Sequence, residues 1–342
     1  MMSSWNDPSL RKLFQDQTPL IDVRAPVEFE EGSLPGSVNL SIMNNEERAQ
    51  VGTCYKNFGQ AAAIELGHQL VNGPVKDERI KAWTEFLGQN PRAQVYCLRG
   101  GLRSQISCQW LRALGHDLNP IEGGYKRMRN FFLSLLDESP LPGFVRIGGL
   151  TGSGKTRVLK KIKHHIDIEG LANHRGSAFG HNGPQPGQVL FENRMALGLL
   201  NASASPVWFE DESVTLGKLS IPARIFTGLR QSPLVVLKVE HSQRVQNIFE
   251  DYVRHSTPEF FYQGIERISS RLGGLRSAAI KEKIRASYQK PLSEAHHEEW
   301  ITTLLKDYYD PFYLKAMTAQ KDLIVFEGNE EEVLHFSQKM TN

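Results

Sequence analysis

Short apolar runs alternate along the chain with stretches of helical spacing, the pattern of an α/β protein. Pro19–Arg24 reads as a first strand, Pro26 opens a short helix, and Pro35-Gly36 turns the chain into a second strand. Ala61–Leu70 and Lys76–Leu87 read as helices, and Gln94–Tyr96 as the strand that delivers Cys97. Beyond the loop that follows, Ile106, Trp110, Leu111 and Leu114 recur at helical spacing, and Gly124–Phe132 reads as a basic helix. Glu138-Ser139-Pro140-Leu141-Pro142-Gly143 then breaks the pattern. Phe144–Ile147, Pro206–Phe209, Leu234–Val239 and Leu323–Phe326 follow as buried parallel strands. Two α/β domains are therefore predicted, residues 1–138 and 139–342, the second a doubly wound parallel sheet centred on Phe144–Ile147 with helical additions.

Composition narrows the class. A chain of 342 residues is long for a single hydrophobic core, and 40% apolar with 23% charged residues is ordinary for a soluble globular protein. The net charge of +2 neither demands nor excludes a polyanionic partner. Cys54, Cys97 and Cys108 are odd in number and lack metal-ligand spacing, which argues for a reducing compartment. No apolar run reaches membrane-spanning length, and the polar start Met1–Asp7 is unlike a signal peptide. The cytoplasm is the expected location, with no membrane partner.

Two loops carry the chemistry. The first is Cys97-Leu98-Arg99-Gly100-Gly101-Leu102-Arg103-Ser104. Successive amides of such a loop form an anion nest that Arg103 can close, and the helix start behind it lowers the pKa of the thiol. Cys108, one turn into that helix, reads as packing. The second is Gly149-Leu150-Thr151-Gly152-Ser153-Gly154-Lys155-Thr156, a Gly-x-x-x-x-Gly-Lys-Thr motif between a strand and a helix. Gly149, Gly152, Ser153 and Gly154 let backbone amides wrap a di- or triphosphate, Lys155 adds a point charge, and Thr156 can hold magnesium. Pro206–Glu212 runs an apolar strand into carboxylates, so Glu210 and Asp211 are candidates for the metal or phosphate side. No tightly bound cofactor is expected. Lys126, Arg127, His174, Arg175 and Arg276 are candidate RNA contacts, drawn from three basic clusters.

Asp22-Val23-Arg24, then Pro26-x-Glu28-Phe29, then Gly32-x-x-Pro35-Gly36-x-x-Asn39 resembles the opening signature of rhodanese domains, which carry sulfur on a cysteine. Asp22 and Arg24 are read as structural. Five residues separate Cys97 from Arg103, where most rhodaneses have four, so a wider pocket is expected. Cys-x5-Arg-Ser is also the signature of cysteine-dependent phosphatases, but no general acid is placed by the sequence. Selenophosphate is a third ligand that suits a wide loop.

A rhodanese signature followed by a P-loop resembles the tRNA 2-selenouridine synthase family. Gly170–Ser177, Phe191-Glu192-Asn193 and Glu210-Asp211-Glu212-Ser213 agree with it, whereas Val214 stands where many relatives carry a basic residue. The resemblance implies a transferase acting on the wobble 2-thiouridine of tRNA. It would S-geranylate the base from geranyl diphosphate, then replace the geranylthio group with selenium from selenophosphate. Cys97 would serve the second step, either as a perselenide or by positioning selenophosphate. Tyr288, Trp300, Tyr308, Tyr309, Phe312 and Tyr313 either line a geranyl or base pocket or fill a core. The competing assignment is a P-loop kinase or ATPase fused to a sulfurtransferase or phosphatase module.

Overall fold

The computed structural model describes residues 4–181, 183–202 and 206–341; Met1, Met2 and Ser3 of the polar start lie outside them. The chain folds into two compact units. One holds the residues up to Pro140 together with Gly187–Asn201, the other Leu141–Pro186 and the chain from Ala202 onward.

The first unit is built on a parallel sheet of β1 (Leu20–Asp22), β2 (Ser37–Asn39) and β3 (Gln94–Tyr96), with β1 in the middle. Ile21 lies opposite both Val38 and Val95. Ile21, Val95, Trp83, Leu87 and Leu111 form its core, and the Trp83 indole N–H donates to Leu40 O at 2.8 Å. Asp22 and Arg24 are a buried pair at 2.6 Å. Arg24 also donates to Gly32 O and lies 3.8 Å from the Tyr125 ring, so it ties the end of β1 to the chain before β2 and to a helix start.

Two departures from the sequence reading stand out in this unit. The helix expected at Ala61–Leu70 begins at Asn45, under an Asn44–Glu47 capping box, and is interrupted at Gly59, whose φ is 83°. Among its described residues only Ala63 is buried, so no apolar stripe announced the first half. The helix Gln188–Asn201, from within the predicted second domain, packs against the helix Gly124–Asp137. Arg129 pairs with Glu192 and donates to Asn193 Oδ1 at 2.6 Å, while Asn193 donates to Ser33 O at 2.8 Å.

The second unit holds β4 (Phe144–Gly148), β5 (His165–Ile166), β6 (Val207–Glu210), an antiparallel hairpin of β7 (Thr215–Leu216) and β8 (Leu219–Ser220), β9 (Leu234–Leu237) and β10 (Ile324–Gly328). The parallel sheet runs β10-β9-β4-β6-β5, with β4 at its centre as expected. β10 is an edge strand with Val325 half exposed, where a buried strand was expected. β5, which carries His165 of a basic cluster, is the other edge. Helices Pro258–Leu272, Gly274–Tyr288 and Glu294–Leu304 gather round Phe179, Phe261, Ile265, Trp300 and Tyr309. Trp300 and Tyr309 are therefore core residues, whereas Phe312 is exposed.

Candidate active sites

The thiol loop leaves the end of β3 and runs into the helix Leu102–Arg112, so the helix start faces back along the loop. Cys97 is 3% exposed and lies at the loop's floor. The Ser104 hydroxyl donates to Cys97 Sγ at 3.1 Å. Burial alone would raise the thiol pKa. The Ser104 hydroxyl, the Ser104 and Arg99 amides and the Arg103 charge outweigh it, and Cys97 ends below the ordinary thiol value. Cys108 behaves oppositely, pushed up to about 11 by burial in the core.

The floor depends on a turn that sequence reasoning did not single out. Gly124 has φ 52°, and a Cβ there would lie 2.2 Å from Cys97 O. The next two amides hold the loop, Tyr125 N–H donating to Cys97 O at 2.8 Å and Lys126 N–H to Leu98 O at 3.0 Å. Gly100, at φ 67°, passes close to Ile121 O in the same contact. Adjacent Gly123 and Gly124 before an amphipathic helix were the available signal.

Arg103, expected to close the nest, is held in place by Glu28 through contacts of 2.5 and 3.1 Å. Burial works to raise the Glu28 pKa, but Arg103 and the Ala25 amide bring it below the usual carboxylate value. Arg99 is exposed, as are Leu98 and Leu102. Of the nearby RNA candidates, Lys126 is exposed, but Arg127 is committed to Asp7 at 2.5 Å and Ser9 at 2.9 Å. Arg127 thus ties down the first helix.

The phosphate loop is equally constrained. Gly149, Gly152 and Gly154 all have positive φ, and a Cβ on Gly149 or Gly152 would come within 2.8 Å of Leu237 O or 2.9 Å of Arg244 O. The helix His241–Asp251 grips the loop from behind: Arg244 donates to Thr151 O and Asn247 to Gly152 O, each at 2.8 Å. Arg244 is itself fixed by Asp310 at 2.5 Å. The Ser153 hydroxyl is buried without a hydrogen-bond partner. Leu150 lines a broad groove with Arg157 and Lys238.

Lys155 Nζ donates to Gly149 O at 3.2 Å and lies 5.5 Å from the Tyr313 ring, in a cavity of about 300 Å³. Burial pulls its pKa down, yet Tyr313, Glu212 and Glu169 leave it raised, so the ammonium is charged. Thr156 Oγ1 donates to Glu169 Oε2 at 2.9 Å. Glu212 is pushed up to about 8 by burial and then by Glu169.

The carboxylates of this cavity are therefore not those the sequence suggested. Glu210 is 0% exposed and accepts from the Ile168 amide at 3.0 Å, and burial raises its pKa far above the carboxylate range. Asp211 is taken by Arg146 at 2.5 Å and Arg230 at 3.2 Å. Glu212 and Glu169 line the cavity in their place. Among the described residues no cluster of three or more His, Cys, Asp and Glu side chains could hold a metal ion. Thr156 with Glu169 and Glu212 is instead an all-oxygen set of the sparse kind magnesium uses when a substrate's phosphates complete its shell.

His174 and Arg175, expected on RNA, line this same cavity. Arg175 donates to Asp251 O at 2.6 Å and lies 4.7 Å from the Tyr252 ring, and burial lowers the pKa of His174. Arg276 is exposed on the helix Gly274–Tyr288, but its neighbours Lys281 and Lys283 pair with Glu266 and Glu299. A small apolar cavity bounded by Phe179, Phe261, Trp300, Leu304 and Tyr309 shares Thr151, Ser177, Ile248 and Tyr252 with the phosphate cavity. Among the described residues no helix is long and apolar enough to cross a membrane.

Residues 142–342 match the family model of the tRNA 2-selenouridine synthase AAA domain, and residues 7–130 that of the rhodanese-like domain. Curated relatives named tRNA 2-selenouridine synthase span nearly the same length. That of Pseudomonas fluorescens (strain Pf0-1) is 43% identical over 95% of both chains. The proteins of Azotobacter vinelandii (strain DJ / ATCC BAA-1303), at 42% over 95% of both, and Shewanella halifaxensis (strain HAW-EB4), at 40% over 94% of both, are similar. With both domains matched in order and the likeness running almost from end to end, the chain belongs to the tRNA 2-selenouridine synthase family.

Proposed function

We propose that this chain is an enzyme that converts 2-thiouridine at the wobble position of tRNA to 2-selenouridine in two substitutions, one at each loop. The observation that carries this reading is the pairing of an amide-cradled thiol of lowered pKa at Cys97 with a charged, enclosed Lys155 in a phosphate loop.

In the first substitution the thiouracil sulfur attacks C1 of geranyl diphosphate. The S–C bond forms, the C–O bond to diphosphate breaks, and the N3 proton is released. Lys155 and the loop amides of Gly152–Thr156 would stabilise the charge that develops on the leaving diphosphate. Bound magnesium would share that load, held by Thr156, Glu169 and Glu212.

In the second substitution selenium of selenophosphate takes the place of the geranylthio group at C2. Counting the whole step, one water is consumed, and geranylthiol, phosphate and the N3–H selenouridine are released. Arg99, Arg103 and the amides from Leu98 to Ser104 would hold the selenophosphate oxygens beside the Cys97 thiolate. A phosphatase is less well served, because Glu28, the carboxylate touching the loop, is held ionised by Arg103 and cannot act as its general acid.

Mass analysis of nucleosides from tRNA incubated with the protein, geranyl diphosphate and selenophosphate tests the whole reading. Selenouridine should appear only with both cosubstrates, and S-geranylthiouridine when selenophosphate is omitted. Cys97→Ala should stop at the geranylated base; loss of both products in that variant would overturn the division of labour. Geranyl diphosphate should raise the melting temperature more than ATP does, since a ligand stabilises the state it binds.

A further inference from the structure

A cavity of about 1050 Å³ opens beside the thiol loop, within the first unit. It is large for a small-molecule site, where pockets run roughly 300–1,000 Å³. Selenophosphate, a small anion, needs nothing of the kind. The walls are apolar: Ile42, Met43, Ile64, Leu102, Ile106 and Trp110. Leu102 belongs to the thiol loop itself and is 41% exposed, a large apolar side chain on a loop otherwise suited to an anion.

The charges around it have one sign to offer. Arg48, Lys56 and Arg99 line the cavity and are exposed. Glu28, the acid in the lining, is neutralised by Arg103 and also lies 3.9 Å from Arg48, which leaves the rim with a net positive charge. An apolar floor, a cationic rim and an adjoining anion nest together fit a ligand with an apolar tail on a polyanionic strand.

We propose that this cavity holds the prenyl chain of an S-prenylated thiouridine in RNA while selenium displaces it. The assignment rests on the two-step reading above and extends it, giving the second substitution a prenyl site of its own, separate from the phosphate loop. With the chain seated against Leu102 and Ile106, the C2–S bond lies next to the nest. When the C2–Se bond forms and the C2–S bond breaks, the prenylthiolate leaves into the cavity; the water that then cleaves the P–Se bond to release phosphate supplies the proton that makes it a thiol and the one that returns to N3. Arg48, Lys56 and Arg99 hold flanking phosphates, so affinity for the strand is salt-dependent.

Filling the cavity tests this in the full chain. Ile64→Trp places bulk on the wall, and Gly52→Trp does so from a helical position whose Cβ direction is open, with no atom within 4 Å. The probes are an anticodon stem-loop RNA with S-geranyl-2-thiouridine and the same RNA with 2-thiouridine. Binding is measured for both, selenouridine formation from the geranylated one, and a melting curve verifies folding. The wild type should bind geranylated RNA at least tenfold more tightly than thiouridine RNA. At least one folded variant should lose that preference and most of its selenation rate on geranylated RNA. Preference and rate retained in both folded variants would overturn the cavity assignment while leaving the two-step reading intact. If the wild type forms no selenouridine from geranylated RNA, the two-step reading fails and the cavity assignment falls with it.

Discussion

Glu212 shows how much one carboxyl can report. It shares the phosphate cavity with Glu169, and its pKa of about 8 means that the folded chain keeps a proton the unfolded chain would give up near the ordinary value of 4.5. Between those values the folded state binds the extra proton, so stability falls as pH rises and the loss is complete above about 8. Melting temperatures measured from pH 5 to 9 should decline across that window, and Glu212→Gln should flatten the decline. Protonated Glu212 also repels a diphosphate less, so affinity for geranyl diphosphate without added metal should weaken over the same range. Cys97 has the opposite sense: its thiolate is favoured in the fold, so iodoacetamide should modify Cys97 at neutral pH well before Cys108, whose pKa is about 11. Peptide mass mapping of partly alkylated protein distinguishes the two.

Elements, rather than single side chains, decide what could be read in advance. Both loops were legible because each is a contiguous stretch whose glycines, cation and flanking strand and helix sit within a dozen residues. The partners that hold them were not. Glu28 reaches Arg103 from 75 residues away, Arg244 reaches Thr151 from 93, and no local periodicity encodes either contact. At the end of β6 the chain hands successive side chains to different neighbours, which no local pattern encodes: Asp211 goes to Arg146, and Glu212 faces the cavity. Gly124 is the sharpest case of a backbone requirement hidden in a plain sequence. Gly124→Ala demands both a positive φ and a Cβ 2.2 Å from Cys97 O. It should cost about 2 kcal/mol or more and restore the Cys97 pKa toward that of an ordinary thiol. Thermal unfolding and the pH dependence of alkylation measure the two effects separately. Replacing Arg146, which is buried with Asp211, Gln320 and Ser232 as partners, by Leu should cost roughly 1–3 kcal/mol in denaturant unfolding, because Gln320 and Ser232 lose a buried donor while Asp211 keeps Arg230.

At the scale of the molecule, the order of the two folds was visible in the sequence and the path between them was not. A break at Glu138–Gly143 is where a linker belongs by composition; the first segment of the first unit runs to Pro140, and a second segment, Gly187–Asn201, belongs to the same unit. Nothing in Gln188–Asn201 announces that it returns to that unit, because an amphipathic helix does not say which apolar face it will cover. Phe191, Met195 and Ala196 are fully buried there, and a side chain the size of Phe contributes about 1.5–3 kcal/mol when removed from water. The first compact unit is thus discontinuous in the sequence. A fragment ending at residue 140 should be poorly soluble or molten, with the apolar face of Gly124–Asp137 uncovered, and a synthetic peptide spanning 187–201 should bind it and rescue cooperative melting. Insertions or fusions between residues 186 and 202 would then register at the thiol loop, through Asn193 and Arg129, although that segment is encoded after the phosphate loop.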